Sequence, residues 1–156
     1  MSASPATSQT IDGLCAIITQ FHPRADTGLV RRAYAFAEAA HRGQKRASGE
    51  PYISHPLAAA HTLAEMRLEE PIIAAALLHD VPEDTERTLE EIEQAFGADI
   101  ASMVGGITKL GKIKYRGMER YIENLRKMFL AMAADVRVVF IKFADRLHNL
   151  QTLEHV

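Results

Sequence analysis

At 156 residues the chain has the length of one ordinary domain, and 47% hydrophobic against 24% charged residues marks it as globular rather than disordered or fibrous. A formal charge of −2 gives no global basic field of the kind that draws a protein to a nucleic-acid backbone, so any anion-binding charge has to be local. The single cysteine, Cys15, excludes an internal disulfide and a thiolate metal cluster and fits a reducing cytoplasm, and the longest aliphatic run, Ile72 to Leu78, is too short to span a bilayer.

Residues 1–8 are small and polar, lack the regions of a signal peptide and are expected to fray. From Ile11 the apolar residues Leu14, Ile17, Ile18 and Phe21 recur at helical spacing and predict a helix ending near His22-Pro23. Leu29, Ala33, Phe36, Ala37 and Ala40 predict a second, with Asp26 or Thr27 as its cap. It stops at a glycine-rich, charged loop, RGQKRASGEPYIS, that begins at Arg42. Pro56 suits the first turn of a third helix, with His55 at the junction. The run PIIAAALLHD is too rich in alanine for a strand and reads as a short buried helix that ends in His79 and Asp80. After VPEDTER, the capping-box pattern Thr88 to Glu91 opens another helix, which Gly97 closes. Two long amphipathic helices follow, roughly 118–134 and 135–150. Val136, Val139, Phe140, Phe143 and Leu147 keep the helical period in the second. No repeat, strand pair or dividing linker is present, so the expectation is one all-α domain over residues 1–156.

A buried apolar helix that ends in histidine followed by aspartate needs polar partners for both side chains, because burying either alone is costly. A cation is the economical partner. His55 arrives from a helix start, His79 and Asp80 from a helix end, and Asp145 interrupts the apolar pattern of the last helix. Two imidazoles and two carboxylates suit manganese, iron, cobalt or zinc, and the missing thiolates argue against a closed structural zinc site. His61 lies on the helix side of Leu57 and Ala64 and reads as a core histidine.

The pattern His55, His79-Asp80 and a distant Asp145 resembles the signature of the HD phosphohydrolases. The motifs GEPYISHP, LLHDVPEDT, ITKLGK and FADRLHNLQTL narrow the resemblance to the hydrolase domain of the RelA/SpoT family, the bacterial enzymes that degrade and often make (p)ppGpp. That resemblance implies an all-α HD-domain helical bundle with a metal site in a central cleft. It also implies Mn2+ as the cofactor and His55, His79, Asp80 and Asp145 as its ligands. The implied substrate is a guanosine alarmone, whose 3′ pyrophosphate is removed to leave GDP or GTP.

By motif position, Glu83 and Asp84 match the acidic pair that assists the attacking water. Asn149, four residues after Asp145, matches an asparagine near the nucleotide sugar or phosphate, and Thr152 a residue near the ribose. His148 beside them reads as structural. Arg46 matches a residue that holds the guanine base, and Tyr52 and Leu110 complete an apolar wall for it. Lys112 belongs to a basic run, Lys109, Lys112, Lys114, Arg116, Arg120, Arg126 and Lys127, that suits a substrate with several phosphates. Two positions depart from the family pattern: Ala47 stands where lysine is common, and Pro82 where valine is usual.

The leading expectation is therefore a cytoplasmic, metal-dependent (p)ppGpp 3′-pyrophosphohydrolase with no nucleic-acid or membrane partner. Ala47 keeps open an HD phosphatase acting on another nucleotide such as NADPH. A nucleotide-binding module without turnover is the third reading. The chain stops soon after DRLHNLQTL, which reads as a compact stand-alone enzyme or as a fragment, and the oligomeric state is left open.

Overall fold

The computed structural model describes residues 9–111, 122–123, 125–127, 129–130 and 134–152, with residues 110 and 111 described by backbone alone. Local sequence chemistry sets the first helices. α1 (Ile11–Phe21) is capped by the Thr10 side chain, which accepts from Gly13 N at 3.0 Å. α2 (Thr27–Ala40) is capped by Asp26 rather than Thr27, its carboxylate accepting from Leu29 N at 3.1 Å. α3 (Ser54–Glu65) follows the long loop, and α4 (Glu70–Leu78) has proline in its first turn. A single turn, α5 (Val81–Asp84), comes directly after Asp80. α6 (Leu89–Phe96) opens on the complete Thr88–Glu91 capping box and closes at Gly97, whose φ of 95° favours glycine.

α7 (Ala98–Gly111) is the element that patterning did not isolate. Its buried stripe, Ile100, Ala101, Met103, Val104 and Ile107, is regular, but the pair Gly105-Gly106 lowers helical propensity and hides it. The packing explains Gly106: a Cβ there would lie 2.9 Å from Val138 Cγ2, so glycine is what lets α7 lie closely on α8 (Val136–Gln151). The helix expected over 118–134 falls largely outside the described residues, and those described between 122 and 134 are helical.

α4 is the hub of the bundle. Every residue from Ile72 to Leu78 is buried, and the helix packs against α2, α3, α7 and α8. Ala74, Ala75 and Ala76 keep its girth small enough for several neighbours to approach, while Ile73, Leu77 and Leu78 fill the spaces between them. Truncating Leu77 to alanine should cost about 2–5 kcal/mol at such a position. The consequence is positional: the buried helix delivers His79 and Asp80 to a place between α3 and α8. Among the described residues, no helix is long and apolar enough to cross a membrane.

Candidate metal centre

His55 stands at the start of α3, His79 and Asp80 just past the end of α4, and Asp145 on the inner face of α8. The structure brings these four together, with one donor atom from each lying within 4.8 Å of all the others. His55 Nε2 is 2.5 Å from Asp145 Oδ1 and 3.9 Å from Asp80 Oδ2, and His79 Nε2 is 3.2 Å from each of the two carboxylates. His55, His79 and Asp145 are buried, and Asp80 is partly so.

The hydrogen bonds at the back of this cluster suit a cation. His79 Nδ1 donates to the Ala76 carbonyl at 2.5 Å, which holds a ring proton on Nδ1 and leaves Nε2 facing the carboxylates. Burial disfavours a charged His79, but the facing Asp80 and Asp145 outweigh it and carry its pKa up to about 10. Burial likewise works against charge on Asp80, yet His79, followed by the Tyr52 hydroxyl, holds its carboxyl down at about 2. Asp145 lies well below the usual carboxylate range, its burial outweighed by hydrogen bonds from His55 and His79. The pocket is thus built to keep two carboxylates ionised in a low-dielectric place, and without a cation it recruits protons onto imidazole to balance them. A divalent ion supplies that balance with four ligands of mixed nitrogen and oxygen character, so the donor set fits the group.

A second layer of side chains holds the cluster. Tyr52 donates from its hydroxyl to Asp80 Oδ2 at 2.8 Å and lies 3.3 Å from Asp84 Oδ2, so one phenol spans a ligand and an acid of the following turn. Burial and the two aspartates push its pKa well up, which keeps it a donor. Lys142 places Nζ 3.3 Å from Asp145 Oδ2. Gln44 donates from Nε2 to the Asp84 carbonyl at 2.7 Å, and its Oε1 is 3.1 Å from His41 Nδ1. The His41 ring lies against Tyr52, with centroids 4.7 Å apart. Glu83 and Asp84 are exposed on α5 and line a shallow depression with Arg42, Gln44 and Arg87.

Of the residues expected to hold substrate, Tyr52 turns its hydroxyl to Asp80 and Asp84, and the other five divide into two groups. Arg46 donates from its guanidinium to Thr152 Oγ1 at 3.1 Å and reaches Asn149 Oδ1 at 3.4 Å, so three of them meet near the cluster. The loop that carries Arg46 is pinned by an antiparallel bridge between Lys45 and Pro51 and turns through Gly49, at φ 91°. The Leu110 side chain and the whole of Lys112 lie outside the described residues, as do Lys114, Arg116 and Arg120 of the basic run. Lys109, Arg126 and Lys127 are exposed, and Lys127 pairs with Glu123 at 3.5 Å. His61 is remote from the cluster, its Nε2 donating to the Thr10 carbonyl at 3.1 Å, and burial lowers its pKa.

Four contributors were not read from sequence as parts of the site. Lys142 carries a usable signal, since it lies three residues before Asp145 on the same helix. Gln44 and His41 carry none, because their partners are distant in sequence. His148 reads as structural from the sequence, and its Nδ1 lies 2.7 Å from Nδ1 of His55. Burial, with His55 and Arg46 nearby, pushes the His148 pKa down to about 4, so it is neutral near pH 7.

Comparison with known proteins agrees with this geometry. The HD domain family model matches residues 33–156. A GTP pyrophosphokinase of Myxococcus xanthus is 45% identical over 143 residues, 89% of this chain and 19% of its own length. The bifunctional (p)ppGpp synthase/hydrolase SpoT of Escherichia coli K12 is 49% identical over 143 residues, 91% of this chain and 20% of its own. The chain therefore spans about a fifth of the length of these curated relatives. Among solved structures, a metazoan ortholog of SpoT that hydrolyses ppGpp superimposes with a TM-score of 0.63 at 30% identity, covering 81% of this chain and 70% of that one.

Proposed function

Because the chain belongs to the HD-domain family, in the branch that resembles the (p)ppGpp hydrolase domain of the RelA/SpoT enzymes, we propose that it removes the 3′ pyrophosphate of ppGpp or pppGpp, leaving GDP or GTP. The observation that carries this reading is the convergence of His55, His79, Asp80 and Asp145 beside a rim where Arg46, Asn149 and Thr152 meet. Mn2+ is the proposed ion, since two imidazoles and two carboxylates with no thiolate suit it. When bound, such an ion supplies a Lewis acid that activates water and polarises a phosphoryl oxygen.

The chain's own residues do the rest. The Arg46 guanidinium, steadied by Thr152, offers a flat cationic face on which guanine stacks. By motif position, Asn149 is assigned to the ribose and its 3′ phosphate, Leu110 to the base and Lys112 to the phosphates. Water attacks the phosphorus bonded to the ribose 3′ oxygen, a new P–O bond forms, and the bond to the 3′ oxygen breaks. Glu83 takes the proton of the attacking water, and the freed 3′ oxygen regains one from solvent. Tyr52 and Gln44 hold Asp84 beside it, the first by its carboxylate and the second by its carbonyl. A cytoplasmic setting accords with the free, buried Cys15.

The test is direct. The full chain is incubated with Mn2+ and either ppGpp or NADPH, and the products are resolved by ion-exchange chromatography. GDP and pyrophosphate from ppGpp are expected. Phosphate released from NADPH while ppGpp stays intact would overturn the reading.

A further inference from the structure

Each of the two histidine ligands needs a proton acceptor behind it, and the two acceptors differ. For His79 the acceptor is the Ala76 carbonyl, a backbone group that no substitution removes. For His55 the corresponding atom is Nδ1, and the group facing it is the His148 imidazole: Nδ1 to Nδ1 is 2.7 Å, with ring centroids 4.9 Å apart. Two nitrogens at that distance share one proton, so one donates and the other accepts.

The direction follows from the far side of the ring. His55 Nε2 belongs to the four-donor set and faces the Asp145 and Asp80 carboxylates. To offer a lone pair there, neutral His55 must carry its proton on Nδ1. His148 Nδ1 is then the bare acceptor, and the His148 proton sits on Nε2. We propose that His148 is a positioning residue that selects the metal-binding tautomer of His55 by accepting the proton on His55 Nδ1.

The placement on α8 gives the contact a second consequence. Asp145, His148, Asn149 and Thr152 occupy positions i, i+3, i+4 and i+7, one face of the helix. The Thr152 hydroxyl donates to the His148 carbonyl at 3.1 Å and accepts from Arg46. The last turns of α8 therefore supply a ligand, orient a second ligand on α3, and anchor the loop that carries Arg46. A shift of this helix end disturbs the metal ligands and the substrate rim together.

This inference rests on the metal reading above, and the experiment separates the two. Mn2+ affinity of the full chain is measured by isothermal titration calorimetry for wild type, His148→Asn, His148→Gln and His148→Leu. Circular dichroism and metal-free melting temperature report folding. Asparagine places an acceptor oxygen where Nδ1 stands, glutamine reaches the Nε2 position instead, and leucine keeps bulk without any acceptor. Asparagine is expected to bind Mn2+ close to the wild-type value, while glutamine and leucine weaken binding about ten- to a hundredfold. Should leucine prevent folding, the contrast between asparagine and glutamine decides. Wild-type affinity in the glutamine and leucine variants, or an equal loss in all three, would overturn the role of His148. A wild-type chain that binds no Mn2+ would instead overturn the proposed function.

Discussion

His79 and Asp80 close a helix whose last seven residues are buried, whereas Glu83 and Asp84, a few residues further on, lie exposed on a single helical turn. The first pair is held from several sides: a backbone carbonyl behind His79, the Tyr52 hydroxyl on Asp80, and Asp145 across the cleft. Within the second pair, and among the described residues, the side-chain hydrogen bonds fall on Asp84, from Tyr52 and Gln44. Burial and mutual charge tie the four-residue cluster to the stability of the fold, while the two acids stand exposed on their turn. Stability and turnover should therefore separate between the two regions.

The largest effect is expected from Asp145→Asn, which removes the carboxylate facing both histidines. Without it Mn2+ binding should fall below detection in calorimetry and ppGpp turnover should vanish. The metal-free chain should lose about 3–5 kcal/mol in urea melts, the usual cost of breaking a buried charge pair. An Asp145→Asn chain as stable as wild type would mean that the cluster is not tied to the fold at all.

Glu83→Gln is the opposite case. Turnover should drop about 10²- to 10⁴-fold, as expected for loss of a general base, with Mn2+ affinity and melting temperature unchanged. If Mn2+ affinity fell alongside turnover, Glu83 would belong with the ligands and the contrast between the regions would collapse. Tyr52→Phe tests an element they share, because its hydroxyl touches Asp80 and Asp84 at once. About a tenfold loss in both metal affinity and turnover is expected, measured by calorimetry and by pyrophosphate release. A loss confined to one of them would assign the phenol to that region alone.

The mildest expected effect is on pH. The pKa of His79 rises from 6.5 unfolded to about 10 folded, so its contribution to metal-free stability is complete below pH 6.5 and fades as pH climbs toward 10. Asp80, lowered from 3.8 to about 2, contributes above pH 3.8 and loses its effect as pH falls toward 2. The metal-free melting temperature should thus peak between about pH 4 and 6.5. Mn2+ displaces the His79 proton, so its affinity should strengthen from pH 7 to 9 in calorimetry. A flat affinity over that interval would show that His79 carries no proton to displace.

Much of this was readable before any coordinates, and the reasons are local. Asp26 and the Thr88–Glu91 box announce helix starts, because a cap needs only an oxygen two or three residues from a free amide. PIIAAALL announces a buried helix by composition, and the histidine and aspartate after it announce a site because nothing apolar can satisfy them. α7 is hidden in the sequence because Gly105 and Gly106 are unfavourable in an isolated helix, while Gly106 faces Val138 and Gly105 faces Leu89, each from another element. The contact of His148 with His55 is not legible in the sequence for the same kind of reason: the two lie 93 residues apart.

Residue order alone settles which segments coil into helices, which helix is enclosed and which side chains have the chemistry to hold a cation. These follow from periodicity, capping and desolvation, which act over a few neighbouring residues. Which nitrogen of His55 meets which nitrogen of His148, that Tyr52 joins a ligand to an acid, and that Arg46 rests on Thr152 were decided by packing. Those contacts depend on how α3, α4 and α8 lie against one another within a few tenths of an ångström, and that placement is the summed result of every buried side chain between them.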